Sequence, residues 1–212
     1  MNIFRFLADL FHLFSFVILL LQFDKTNSVA GISLKTQILY VVVFVTRYLD
    51  LFYKFHSLYT TLMKIVYIGL SCYTVYVMTH KFKKEIESSK DIFPVKYILG
   101  GTLVLAGLTS HNYAPSEFLW TFSIWLEAFA ILPQLMLLQK TGQAENITTH
   151  YIFCLGLYRA LYIPNWIYRY FTEAKLDWVA IVAGIVQTAI YSDFFYIYYS
   201  RVLHGKKFEL PV

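Results

Sequence analysis

Seven apolar runs, each of a length that can cross a lipid bilayer as a helix, account for most of this 212-residue chain. A helix needs about 20 residues to span the hydrocarbon core. With 58% hydrophobic and only 15% charged residues, the composition excludes an ordinary soluble domain. The sequence therefore predicts an all-α polytopic membrane protein, one domain over residues 1–212 with a C-terminal tail at 203–212. The seven predicted spans are residues 3–22, 36–53, 57–79, 96–112, 115–139, 149–170 and 178–202.

Basic residues divide unequally between the connections of these spans. Eleven of the 18 Lys and Arg residues fall in the first, third and fifth connections and in the tail. The second, fourth and sixth connections carry only Lys54 and Lys175. Basic residues collect on the cytoplasmic side of a membrane. We therefore expect an exoplasmic N-terminus and a cytoplasmic tail, and we attribute much of the +5 net charge to topology rather than to nucleic-acid binding.

Charged and polar side chains recur within or at the ends of the predicted spans. A charge at the bilayer centre costs about 2.5–3.5 kcal/mol, so such residues normally face the interior of the protein. Helical spacing collects them into one stripe on each of four helices, and we expect the four stripes to share one interior. The stripes are Arg5, Asp9 and His12; Arg47 and Asp50; Glu117, Trp120, Ile124 and Glu127; and Tyr158, Tyr162, Asn165 and Arg169.

This interior suits a ligand that carries several anions and one cation. Guanidinium groups bind carboxylates bidentately, and the nearby carboxylates would accept a cation. Apolar walls would come from Trp120, Tyr162 and Trp166. The exoplasmic ends of their helices hold Arg5, Asp50, Glu117 and Arg169, so we expect the cavity to open to the lumenal or extracellular face. A purely structural network of buried ion pairs is the alternative, and the residues alone leave the ligand open between a peptide and a metabolite.

His12 is the residue of this set whose charge can change between cellular compartments, because an unperturbed histidine titrates near pH 6.5. It is a candidate pH sensor, the alternative being a simple hydrogen bond to a neighbouring helix. The chain has no nucleophile elbow, zinc-protease motif or phosphate-binding loop. Glu117 and Glu127 could form an acid/base pair, but ten residues of helix separate them by about 15 Å. We therefore expect no enzyme, no metal and no cofactor.

An internal repeat is a further hypothesis, because transporter-like folds are often built from duplicated helix triplets. An offset of 112 residues pairs identical residues of helices 2 and 6. They are Thr36 with Thr148, Arg47 with Arg159, and Leu49 with Leu161. Three identities alone are compatible with chance.

Six longer motifs run from the first residue almost to the last span. They are residues 1–5 (MNIFR), 46–52 (TRYLDLF), 119–124 (LWTFSI), 130–135 (AILPQL), 147–151 (ITTHY) and 156–162 (GLYRALY). These motifs resemble those of the KDEL receptor family, the endoplasmic reticulum retention receptors. The resemblance implies two three-helix bundles joined by helix 4, a layout related to SWEET sugar transporters and PQ-loop proteins. A SWEET-like small-solute transporter is accordingly the alternative function.

The resemblance implies a receptor that binds escaped lumenal proteins in the Golgi through a C-terminal Lys-Asp-Glu-Leu or His-Asp-Glu-Leu signal. The receptor would return them to the endoplasmic reticulum in COPI vesicles. By resemblance, Arg47 and Tyr48 hold the terminal carboxylate, and Arg5 and Arg169 hold the acidic side chains. The basic residue of the signal would be surrounded by Asp50, Glu117 and Trp120. Further matches to pocket positions are Tyr162, Asn165, Trp166 and Asp177.

The resemblance also assigns a switch and a trafficking signal. His12 would sense pH beside a hydrogen-bonded pair formed by Tyr158 and Glu127. Asp193 matches a position tied to transport of the bound receptor, and the COPI coat would read Lys206 and Lys207. The chain departs from the family at Lys54 and His56, where uncharged residues are usual, and at Pro164 in helix 6.

Overall fold

The protein is helical throughout most of the residues that its computed structural model describes, namely 2–89, 91–141, 143–144, 146–174, 176–201 and 208–209. Lys206 and Lys207 lie outside them. The helices are α1 (Ile3–Thr26), α2 (Leu34–Arg47), a 3-10 helix (Leu49–Phe52), α3 (Leu58–His80), α4 (Lys83–Glu87), α5 (Val95–Thr109), α6 (Pro115–Phe129), α7 (Leu132–Thr141), α8 (Asn146–Glu173), α9 (Trp178–Ile190) and α10 (Ser192–Arg201). Strands β1 (Gln143–Ala144) and β2 (Phe208–Glu209) form a short antiparallel pair.

At least one helix overlaps each of the seven predicted spans, so the all-helical class is confirmed. Among the described residues, three segments are long and apolar enough to cross a membrane: α1, α3 and Pro115–Thr141. The bent pair α9 and α10, which meet at 42°, would make a fourth. The count of seven spans stays a prediction.

Three predicted spans are interrupted, which corrects their boundaries. One is the span predicted over residues 178–202, which divides into α9 and α10. The span predicted over residues 36–53 is helical only to Arg47 and continues as the 3-10 helix. The span predicted over 115–139 breaks between α6 and α7, where Pro133 follows closely. A proline ring clashes with the carbonyl four residues earlier and lacks the N–H that would bond it. Pro164, by contrast, lies inside the continuous α8.

The chain divides into two compact units. Unit 1 comprises Met1–Ile32 with Leu138–Val212, and unit 2 comprises Ser33–Leu137. In unit 1, α1 packs along α8, and α9 packs against α8. In unit 2, α2 packs against α3 and α6, and α5 packs against α6. Neither unit is a run of three consecutive helices, and the two sequential bundles stay a prediction.

Each unit contains a buried bond between a glutamine and a threonine. In unit 1, the Gln22 side-chain amide donates to the Thr148 hydroxyl over 2.8 Å. In unit 2, the Gln134 backbone N–H donates to the Thr36 hydroxyl over 3.0 Å. Gln22 and Gln134 stand 112 residues apart, as do Thr36 and Thr148. The bonds therefore join opposite copies of the hypothetical repeat, which adds a fourth matched pair to the three found in the sequence.

Candidate ligand-binding pockets

A cavity of about 270 Å³ in unit 2 brings together part of the predicted site. It is formed by the end of α2, the 3-10 helix, the first part of α3 and the start of α6. Five predicted site residues line it: Arg47, Tyr48, Asp50, Glu117 and Trp120. The i, i+3 spacings had placed Arg47 with Asp50 and Glu117 with Trp120 on two helix faces, and both pairs line the cavity. Asp50 lies in the 3-10 helix that follows α2.

Arg47 is held in this cavity by its own unit. Its guanidinium is ion-paired with the carboxylate of Glu127, whose side chain is only 1% exposed. The Nε atom donates to the Ser123 hydroxyl over 3.1 Å, and Nη2 donates to the Ser123 carbonyl over 2.8 Å. These bonds fix the plane of the guanidinium, so Arg47 presents a positive charge of defined position to the cavity.

Asp50 has two partners that the sequence did not lead us to expect there, an ammonium group and an imidazole ring. The Lys64 ammonium lies 2.6 Å from Asp50 Oδ2, and His56 Nε2 lies 3.2 Å from the same oxygen. Asp50 Oδ1 is buried and accepts no hydrogen bond within the described part of the chain. Lys64 lines the cavity and was missed, although a lone lysine inside an apolar span was a signal that could have found it.

A second cavity, of about 340 Å³, lies in unit 1 between the start of α1 and the end of α8. Three predicted site residues line it: Arg5, Asn165 and Arg169. The Asn2 side chain caps α1, because its Oδ1 accepts from the Arg5 backbone N–H. Its Nδ2 donates to the side-chain oxygen Oδ1 of Asn165 over 2.9 Å. This cap couples the first turn of α1 to α8 and positions Arg5.

Both arginines of the unit 1 cavity have a carboxylate on their own helix. Arg5 Nε lies 4.0 Å from Asp9 Oδ2, as the predicted stripe on helix 1 requires. Arg169 Nε lies 3.0 Å from Glu173 Oε2. Glu173 lines the cavity and was missed, because it lies beyond the end of the span predicted over residues 149–170.

The lining of this cavity does not include Tyr162 and Trp166, two further predicted residues of α8. The Tyr162 hydroxyl donates to Asp9 Oδ1 over 3.1 Å. The Arg159 guanidinium carbon lies 5.6 Å from the centre of the Trp166 ring. Trp166 in turn faces Gly184 of α9, where an added Cβ would lie 2.2 Å from the indole. A glycine at this position therefore allows the close approach of α8 and α9.

The predicted switch residue His12 stacks on Tyr158. Their ring centroids are 4.0 Å apart with an interplanar angle of 4°, and both side chains are buried. This contact joins α1 to α8 inside unit 1. Glu127, the third member of the predicted switch, is the partner of Arg47 in unit 2. A hydrogen bond between Tyr158 and Glu127 stays a prediction.

The two remaining predicted residues lie at helix starts. Asp177 caps α9, since its carboxylate accepts from the Ala180 backbone N–H over 3.0 Å. Asp193 lies in the first turn of α10. Carboxylates are favourable at both places because they face the positive end of a helix dipole. Within the described residues, no cluster of three or more His, Cys, Asp or Glu side chains could hold a metal ion.

Apolar helices of membrane-spanning length, together with cavities lined by arginines, are the features of a helical membrane protein with charged pockets. The family model for the ER lumen protein retaining receptor matches residues 28–169. The ER lumen protein-retaining receptor 2 of Bos taurus is 55% identical over 211 residues, and those of Gallus gallus and Homo sapiens are each 54% identical. Each alignment covers 100% of both chains. The chain belongs to the ER lumen protein retaining receptor family.

Membership confirms the resemblance found in the motifs. The family is one of retention receptors rather than of enzymes. The alternative of a SWEET-like transporter finds no support among these relatives.

Proposed function

We propose that this protein is a receptor for the C-terminal retention signal of escaped lumenal proteins, of the type Lys-Asp-Glu-Leu or His-Asp-Glu-Leu. The observation that carries this proposal is the cavity of unit 2. There the anchored guanidinium of Arg47 lies beside the carboxylates of Asp50 and Glu117. A peptide that ends in a free carboxylate and carries a basic side chain three residues earlier offers charges of the opposite sign to each.

Two further arginines of the predicted site, Arg5 and Arg169, line the cavity of unit 1. By the family resemblance, these are the residues that would bind the acidic side chains of the signal. Three arginines thus correspond to three anions of the ligand. Arg169 lies 3.0 Å from Glu173, a partner that an incoming carboxylate would replace.

Protonation of His12 gives this receptor its pH dependence. His12 is buried against Tyr158 in the same unit as Arg5 and Arg169. In a mildly acidic compartment the imidazole gains a positive charge, which favours the state with an anionic peptide bound. At neutral pH the charge is lost and cargo is released. The direction of this pH dependence matches binding in the Golgi and release in the endoplasmic reticulum.

Seven spans in two SWEET-like bundles would place the N-terminus in the lumen and the tail in the cytoplasm. The basic third connection and tail support this orientation. Lys206 and Lys207 would then be available to the COPI coat for return transport, with Asp193 contributing to transport of the bound receptor. The receptor would cycle between the membranes of the Golgi and the endoplasmic reticulum.

The test is binding of a short peptide ending in Lys-Asp-Glu-Leu to the purified full-length receptor, at mildly acidic and at neutral pH. We expect tighter binding in acid. Amidation of the C-terminus should weaken binding at least about 30-fold, because it leaves a charged partner unsatisfied. A peptide with the same residues in reverse order controls for net charge. Equal affinity for the free and amidated peptides would contradict the proposal.

A further inference from the structure

His56 lies in the turn between the 3-10 helix and α3, at the edge of the unit 2 cavity. Its Nε2 atom is 3.2 Å from Asp50 Oδ2. Lys64 approaches the same oxygen with a side chain that is 12% exposed, whereas the His56 side chain is 43% exposed. Asp50 therefore has one buried cationic partner and one partner in contact with solvent.

The two partners of Asp50 differ in how they carry charge. A lysine side chain ordinarily carries its positive charge across the physiological pH range, whereas an imidazole gains one only in mildly acidic solution. The other charged groups that line the cavity are Glu117 from α6 and Arg47 from α2. Lys54 lies in the same turn, where its backbone N–H donates to the Asp50 carbonyl over 2.8 Å. A protonated imidazole at His56 would thus be a second positive charge at one carboxylate oxygen.

We propose that His56 is a specificity-determining residue that competes with the basic first residue of the retention signal for Asp50, and that it competes only when protonated. This inference rests on the proposed function, because it assigns the ligand's cation to Asp50. The buried Asp50 Oδ1, which accepts no hydrogen bond within the described residues, is the acceptor that a ligand cation would use.

Protonation of His56 acts on peptide affinity in the opposite direction to protonation of His12. Protonation of His12 favours the anions of every signal, whereas protonation of His56 disfavours a cation at the first position. A signal that begins with a basic residue therefore gains less from acidification than one that begins with an uncharged residue. The preference of the receptor for a basic over an uncharged first residue would therefore be stronger at neutral pH than in acid.

The test compares peptides ending in Lys-Asp-Glu-Leu and Ala-Asp-Glu-Leu, bound to the full-length receptor at mildly acidic and neutral pH. The variant is His56→Gln, which keeps a hydrogen-bond donor and removes the charge. The matched control is His111→Gln, since His111 is exposed in the turn between α5 and α6. In acid, His56→Gln should raise the affinity ratio of the Lys peptide to the Ala peptide about two- to fivefold, the range of a partly exposed ion pair. At neutral pH the ratio should not change.

A second comparison isolates Asp50. In an Asp50→Asn background, His56→Gln should leave the ratio unchanged, because the competition needs the carboxylate. An unchanged ratio for His56→Gln alone would overturn the inference while peptide binding still supported the proposed function. An equal rise of the ratio at both pH values would overturn the dependence on protonation. Failure of every Asp-Glu-Leu peptide to bind would overturn the inference and the proposed function together.

Discussion

The guanidinium of Arg47 and the carboxylate of Glu127 form an ion pair that is almost closed to solvent, with side chains 12% and 1% exposed. Removal of one member of such a pair leaves an uncompensated buried charge, whereas replacement of both by apolar groups is often tolerated. Stability and ligand binding at Arg47 can therefore be separated by choosing which partner is changed.

The first prediction concerns this pair. Arg47→Leu should lower the free energy of unfolding by about 3–5 kcal/mol and abolish measurable peptide binding. The double variant Arg47→Leu/Glu127→Leu should recover most of the stability and none of the binding. Thermal unfolding in detergent and peptide titration measure the two quantities. Recovery of binding in the double variant would show that Arg47 does not hold the ligand.

The second prediction concerns the pH profile. His12→Ala should bring the affinities at mildly acidic and neutral pH close to one another, because the group that gains charge is removed. An Ala-Asp-Glu-Leu peptide is used so that His56 has no influence. His80→Ala is the matched control, since His80 also stacks on a tyrosine, Tyr76, with ring centroids 4.2 Å apart, but is exposed. A wild-type pH profile in His12→Ala would place the sensor elsewhere.

The third prediction concerns the carboxylate that accompanies Arg169. Glu173→Gln removes an acidic group 3.0 Å from Arg169 Nε, in the lining of the unit 1 cavity. Binding of the acidic peptide should become about twofold tighter, since pairs of this exposure contribute a few tenths of a kcal/mol. Glu87→Gln in α4, which removes the i, i+4 partner of Lys83, is the control and should have no effect. Weaker binding in Glu173→Gln would indicate that Glu173 itself contacts the ligand.

The fourth prediction concerns the contact of α8 with α9. Gly184→Ala would place a methyl group 2.2 Å from the Trp166 indole, so either the indole or one of the two helices must shift. Overpacking of this kind costs about 1–3 kcal/mol of stability. Gly107→Ala in α5 meets nothing within 4 Å and should be neutral or stabilising. Thermal unfolding of the two variants measures this difference in stability. Equal unfolding midpoints would contradict the predicted loss in Gly184→Ala.

The sequence predicted those parts of the site that depend on spacing within one helix. Arg47 with Asp50, and Glu117 with Trp120, are three residues apart, and both pairs line one cavity. Lys64 and Glu173 escaped prediction for different reasons. Lys64 acts through Asp50, which belongs to another element, and Glu173 follows the last apolar turn of its span. A pattern within one segment does not report either relationship.

Helix existence was predictable and helix pairing was not. Apolar runs and Pro133 indicated where helices lie and where one breaks, because both signals are local. The contact of α1 with α8 depends on complementary surfaces more than one hundred residues apart in the chain. The polar stripes on helices 1 and 6 indicated that these helices share an interior, but not which side chains meet there. The 112-residue offset gained meaning when Gln22 and Gln134 proved to be the partners of Thr148 and Thr36.

The discontinuity of unit 1 determines the order in which the two units can assemble during synthesis. Its first segment leaves the ribosome 105 residues before the second, the length of Ser33–Leu137. At synthesis rates of about 5–20 residues per second, α1 waits on the order of 5–20 s for α8. During that interval Arg5, Asp9 and His12 reach the membrane before Tyr158 and Tyr162 exist. Until α8 is made, the polar face of the first helix therefore lacks the two tyrosines that it contacts in unit 1, whereas the uninterrupted unit 2 can assemble as it emerges.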